Sequence, residues 1–162
     1  MATPKEQQFS NGCARVGQYL YMFNALEFAV GRAVSEALKL DAPQSTIVNA
    51  NISMRDKIKI LRTTVSIDRI SPKKKKSFDK ALDRISTISS GDRNTVVHCA
   101  FSVKGDSVHF YKVQASKNLR LPDIIWSPDD FGERISEMQD LYRIASDIGA
   151  EMAMLPNVFS SL

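Results

Sequence analysis

A mainly α-helical fold, about five helices with one short β-hairpin, is what this sequence predicts. Two observations carry that expectation. Apolar residues recur at three- and four-residue steps through most of the chain, the period of a helix with one face in a core. Residues 101–113, by contrast, are rich in β-branched and aromatic side chains around the turn-forming Gly105, Asp106 and Ser107, the pattern of a hairpin. At 162 residues, 43% hydrophobic and 25% charged, the chain has the size and composition of one soluble globular domain with a sizeable core.

Residues 1–12 are polar and read as a flexible leader, with residues 13–162 as the single domain. Over residues 15–40, Val16, Leu20, Phe23, Val30, Val34 and Leu38 mark a long amphipathic helix, the expected centre of the core. Glu27 interrupts that stripe, and a carboxylate where water is scarce needs a partner. Arg93 and the His98 ring are the partners of interest, and a nearby lysine at the rim of the stripe is the alternative. Residues 41–45, with Pro43, break the helix. Ser53 and Asp56 form a capping-box pattern ahead of Met54, Ile58, Leu61 and Val65. Ser71 before Pro72 opens a third pattern through Phe78, Ala81, Leu82, Ile85 and Ile88, which Gly91 ends. After the hairpin, residues 115–126 read as a connecting loop whose Trp126 plugs the core or anchors an interface. Ser127, Pro128, Asp129 and Asp130 open a last helix along Phe131, Ile135, Met138, Leu141, Ile148, Met152 and Leu155, with Pro156 as its stop.

Charge is unevenly spread. Residues 53–84 hold eleven basic residues against four aspartates, a local balance of +7 within a total of +4. Lys73, Lys74, Lys75 and Lys76 stand at the start of a helix, where cations are mildly unfavourable, so solubility or RNA-backbone binding is the reason to keep them. No apolar run resembles a membrane span, and the polar N-terminus lacks the pattern of a secretory signal, so a cytoplasmic protein is expected. Cys13 and Cys99 are too few for a disulfide framework or a zinc site, and Cys99 reads as a small core thiol. His109 faces opposite to Val108 and Phe110 and reads as a solvent-facing strand residue. Two histidines eleven residues apart, without clustered carboxylates, make a poor divalent-metal site, so no metal or other cofactor is expected.

The stretch with chemistry in it runs from Gly91 through Asp92, Arg93, Asn94, Thr95, Val96 and Val97 to His98. Asp92 is placed to cap a new helix with Arg93 in its first turn, where backbone N–H groups and a guanidinium would together favour an anion. Asn94 and His98, four apart, share a helical face. Arg93 and His98 do not: five residues apart on a regular helix, they differ by about 140° around the axis and ~7.5 Å along it. Either the arginine's reach closes that gap, or two chains make the site.

Taken with the N-terminal helix at residues 16–27, this arrangement resembles the HEPN superfamily of small helical domains, in which an arginine followed after four to six residues by a histidine marks metal-independent endoribonucleases. The resemblance covers most of residues 15–155, and Arg93, Asn94 and His98 are the residues that match the motif. It implies a HEPN-like helical bundle, a small hairpin after the motif helix, and a homodimer with a composite site. It also implies RNA as substrate, a toxin or defence setting, and an antitoxin or nucleotidyltransferase-like partner protein. The chemistry fits these residue types. RNA's 2′-hydroxyl attacks the adjacent phosphate when a base takes its proton, an acid protonates the 5′-oxygen and a cation steadies the phosphorane; a 2′,3′-cyclic phosphate results. His98 can carry the proton near neutral pH, Arg93 offers a permanent fork to phosphate, and Asn94 can orient the ring or hold a phosphate. Glu27 is the supporting residue, and Lys73, Lys74, Lys75 and Lys76 are the candidate RNA contacts. One motif histidine per chain supplies an acid or a base, so a two-fold pairing of motif helices would bring the second. The competing readings are a non-catalytic HEPN-type module that binds nucleotide, RNA or protein, and a structural helical dimer.

Overall fold

The computed structural model describes residues 2–67, 70–112, 114–116, 118–120 and 123–156. The fold is mainly α. Among the described residues the elements run α1 (Pro4–Ala37), α2 (Ala42–Asn51), α3 (Met54–Ile67), α4 (Pro72–Ser90), α5 (Asp92–His98), β1 (Ala100–Lys104), β2 (Ser107–Tyr111), β3 (Gln114–Ser116), β4 (Asn118–Arg120), β5 (Asp123–Trp126) and α6 (Pro128–Met154). Arg69, counted above in the basic segment, and Val113, assigned above to the hairpin, lie outside the described residues.

Three expectations need correction. Residues 4–12 are not a flexible leader but the first turns of α1. Glu6 accepts from the Thr3 backbone N–H at 2.7 Å and its hydroxyl at 2.9 Å, while the Glu6 N–H returns a bond to Thr3 Oγ1 at 3.3 Å. That is a capping box with Pro4 at the first helical position, where its missing N–H costs nothing. Second, the first helix does break ahead of Pro43, but the chain is helical again already from Ala42. Pro43 sits in the first turn of α2, capped by Asp41, whose side chain accepts from the Gln44 N–H at 2.8 Å. Third, the connecting loop of residues 115–126 is largely strand: β3 pairs with β4, and β5 joins β2 to make a three-stranded antiparallel sheet in the order β1-β2-β5.

Contacts divide the chain into two compact units, residues 1–23 with 89–138, and residues 24–88 with 139–162. In the first, the sheet turns one face inward. Phe101 and Val103 of β1, Val108 and Phe110 of β2, and Ile124 and Trp126 of β5 alternate onto it, in the register Phe101↔Phe110 and Val108↔Trp126. Trp126 is the plug: 3% exposed, it meets Tyr19, Phe110 and Phe131 with ring centroids 5.0–5.4 Å apart. Gly12 permits the close approach of α1 to β1, since a Cβ there would fall 2.4 Å from Val103 Cγ2. Gly105, at φ +59°, makes the β1–β2 turn that side chains would resist. Tyr19, fully buried, takes the core place expected for Leu20, which is half-buried.

The second unit packs as the periodicities predict. Val30 and Val34 of α1, Met54, Ile58, Leu61 and Val65 of α3, the five expected residues of α4, and Ile148 and Met152 of α6 are all buried. Lys39 adopts the left-handed conformation (φ 54°) that ends α1, and its amine donates to the Met152 and Ala153 carbonyls at 2.6 and 3.2 Å, capping α6 with a cation. The α3 stripe holds one anomaly, Lys57, which is 4% exposed.

Candidate active site

α5 is a single short helix, seven residues from Asp92 to His98. Its N-cap is Gly91, without a side-chain cap, and not Asp92 as expected. The reason lies in α6. Arg134 Nε pairs with Asp92 Oδ2 at 3.3 Å and Arg134 Nη1 with Asp130 Oδ1 at 3.4 Å, while its guanidinium carbon stands 4.3 Å from the centroid of the Trp126 ring. The Asp92 carboxylate therefore ties α5 to α6, and Arg134, stacked on the aromatic core, fixes where the motif helix starts. Thr95 donates both its N–H and its hydroxyl to the Gly91 carbonyl, at 3.0 and 3.3 Å.

Within this short helix the motif residues meet. Arg93 Nη1 lies 3.3 Å from Asn94 Oδ1 and 3.5 Å from His98 Nε2, with its guanidinium carbon 5.9 Å from the Phe23 ring centroid. The 140° separation around the helix is thus closed by the length of the arginine, inside one chain. Asn94 Nδ2 also donates to the Ser90 carbonyl at 3.1 Å, which anchors the amide over the α4–α5 junction. Arginine has no acceptor, so in a hydrogen bond between the two the guanidinium donates and His98 Nε2 accepts. His98 and Asn94 are exposed and Arg93 half-buried.

His98 and Asn94 line a cleft of about 630 Å³, with Cys99, Tyr111 and Lys112 among its other walls. Cys99, expected in the core, is half-buried and reaches this cleft. Tyr111 belongs to the polar face of the sheet. The Ser102 hydroxyl lies 2.9 Å from its phenol oxygen, and that hydrogen bond, with Lys104 beside it, holds the phenol below its usual range. His109 is on the same face but is not freely solvated: its Nδ1 lies 2.9 Å from Asp123 Oδ2 and its side chain is 13% exposed.

Three of the other candidates, Glu27, Lys74 and Lys75, have partners of their own. Glu27 Oε1 pairs with Lys57 Nζ at 3.3 Å, the lysine alternative and not a motif residue. Lys74 pairs with Glu151 at 2.5 Å, and Lys75 donates to the Ser66 carbonyl at 2.8 Å. Arg134, Tyr111, Lys112 and the burial of Lys57 were missed in the sequence. The first three carry no motif; Lys57 breaks the α3 stripe as visibly as Glu27 breaks that of α1, but was counted only as part of a basic run. Among the described residues no three His, Cys, Asp or Glu side chains gather as a metal site, and no helix is long and apolar enough to cross a membrane. No protein-family model matches the chain, and no curated protein or solved structure matches it.

Proposed function

We propose that this protein is a metal-independent endoribonuclease of the HEPN kind, in which Arg93 and His98 act on the phosphate between two nucleotides. The observation that carries the reading is the contact of Arg93 Nη1 with His98 Nε2, on the rim of a cleft that His98 and Asn94 line. An arginine that donates to the Nε2 of a histidine orients the ring with that nitrogen toward the guanidinium. An RNA phosphate competes for the same guanidinium as a bidentate anion and draws it away. Nε2 is then free to take the 2′-hydroxyl proton. The 2′-oxygen bonds to phosphorus, the bond to the 5′-oxygen breaks, and Arg93 neutralises the charge that develops on the phosphorane. The leaving oxygen takes its proton from a second His98, supplied by a partner copy. Asn94 Oδ1 holds the arginine within reach throughout.

The test is cleavage of single-stranded RNA in EDTA, with the ends analysed for 2′,3′-cyclic phosphate. Arg93→Ala should lower turnover by about a hundredfold to a thousandfold, the cost of one lost charge-stabilising group, and His98→Ala by about a hundredfold or more. Cleavage that persists in both variants, or that requires added Mg²⁺, defeats the mechanism. The second reading, a non-catalytic binding module, has one observation in its favour: Arg93 is not among the cleft's lining residues, its guanidinium lying instead against Asn94, His98 and the Phe23 ring.

A further inference from the structure

The helical unit of residues 24–88 and 139–162 contains a second cavity, of about 700 Å³, lined by Asn24, Glu27, Phe28 and Arg32 of α1, by residues of α2 including Asn49, and by Lys57 of α3. Its chemistry is unlike that of the surrounding core. Glu27 interrupts the apolar stripe of α1 and Lys57 that of α3, and the two interruptions face each other as an ion pair. Such a pair contributes little to stability: the lysine is desolvated, while Glu27, 38% exposed, keeps contact with water that screens the attraction. The fold alone gives no reason to keep it.

The pair is also incompletely used. Lys57 Nζ carries three protons, and Glu27 Oε1 is its one acceptor among the described residues, although the lysine side chain is only 6% exposed. Asn49 spends its Nδ2 on Ser35 and Ser45, while its Oδ1 has no donor among the described residues. Arg32 is exposed on the cavity wall, so Lys57, Glu27 and Arg32 leave a surplus of one positive charge there. Phe28, 68% exposed, adds an aromatic surface that the core does not use. Cavities of this size that combine an apolar wall with a few convergent polar groups are the usual seats of small ligands.

We infer that this cavity binds a small organic anion, a carboxylate or phosphate ester on an aromatic body, whose oxygens take the unspent protons of Lys57 and the guanidinium of Arg32 while its ring lies on Phe28. Glu27 then positions the lysine. Its role is to hold the amine aimed, which a hydrocarbon in its place would not do.

Phenyl phosphate, benzoate and benzylamine, titrated into the full ¹⁵N-labelled chain, test this. The two anions should give saturable amide shifts at Asn24, Gly31, Thr46 and Asn49 below roughly 10 mM, a weak but specific affinity for molecules of this size; benzylamine should not. Arg32→Gln should weaken the anions severalfold without changing the melting temperature. The double variant Glu27→Leu with Lys57→Met should melt at or above the wild-type temperature and lose the anion shifts. Because it replaces the ion pair as a unit, loss of binding there is separable from loss of fold. Three results would each overturn the proposal: no saturable shifts with either anion, tighter binding of benzylamine, or anion binding that survives the double variant.

Discussion

At the residue scale, what decides the site is where one guanidinium is spent. The motif was legible as Arg93, Asn94 and His98, but helical geometry alone set the arginine and histidine apart; the contact depends on the reach and rotamer of a long side chain, which sequence spacing does not encode. The structure answers that difficulty within one chain. Glu27 was legible as a carboxylate needing a partner, with a lysine at the rim of the stripe as the alternative. That alternative holds, with Glu27 38% exposed, but which lysine was not legible, because Lys57 lies in a basic segment that looks like a solvated face. Tyr19 is a third such case. Its ring is fully buried, its hydroxyl has no hydrogen-bond partner among the described residues, and burial, with Asp92 nearby, pushes its phenol well up from the usual value. An unpartnered buried hydroxyl carries a desolvation cost, so Tyr19→Phe should leave the protein as stable as before or firmer by up to ~1 kcal/mol, measured by urea unfolding. A clear loss of stability would mean that the hydroxyl has a partner, such as an internal water.

At the scale of elements, the helices that pack on periodic apolar faces were legible because the period itself is the packing signal; α3 and α4 bury every residue expected of them. What escaped was short or unusual in length. The Thr3–Glu6 capping box was present in the sequence, but polar composition pointed to a leader, and polar helices without an apolar stripe are hard to separate from coil. Strands β3 and β4, three residues each, are too short for any alternation to register. The start of α6 was read correctly, and its cap has a consequence for pH. Asp130 accepts from the Ser127 backbone N–H at 2.8 Å and its hydroxyl at 2.7 Å, and these bonds, the backbone one first, hold its carboxyl below the usual aspartate range. A carboxyl with a lower pKa folded than unfolded gives stability that is fully present above the unfolded value of about 3.9 and is lost as pH falls through the folded one. Unfolding free energy measured against pH should therefore decline on that acid limb, and Asp130→Asn should flatten it. An acid limb of unchanged steepness in the variant would show that other carboxylates set it.

At the scale of the whole molecule, two expectations concern partners. The lysine run divides into two kinds: Lys74 and Lys75 have partners within the chain, whereas Lys73 and Lys76 are exposed. If the run holds RNA, changing Lys73 and Lys76 to Gln should weaken binding and shrink the slope of log affinity against log salt by up to ~0.7 for each lost single-strand contact, with stability unchanged. An unaltered slope assigns these two lysines to solubility. The second expectation is a dimer. Because Arg93 reaches His98 unaided, geometry no longer asks for two chains, but proton bookkeeping does: the proposed reaction uses an acid and a base, and each chain brings one motif histidine. A two-fold pairing of α5 helices supplies both in one cleft. Light scattering at micromolar protein should give twice the chain mass of 18.1 kDa. Mass alone does not place the histidines together, so the sharper measurement is a mixture. Adding excess His98→Ala chains to wild type pairs each active chain with one that lacks the motif histidine, and activity per wild-type chain should fall well below simple dilution. Activity per wild-type chain that stays constant would mean that each chain cleaves by itself, and the search for the acid would then move to the other proton carriers of the cleft, Cys99, Tyr111 and Lys112.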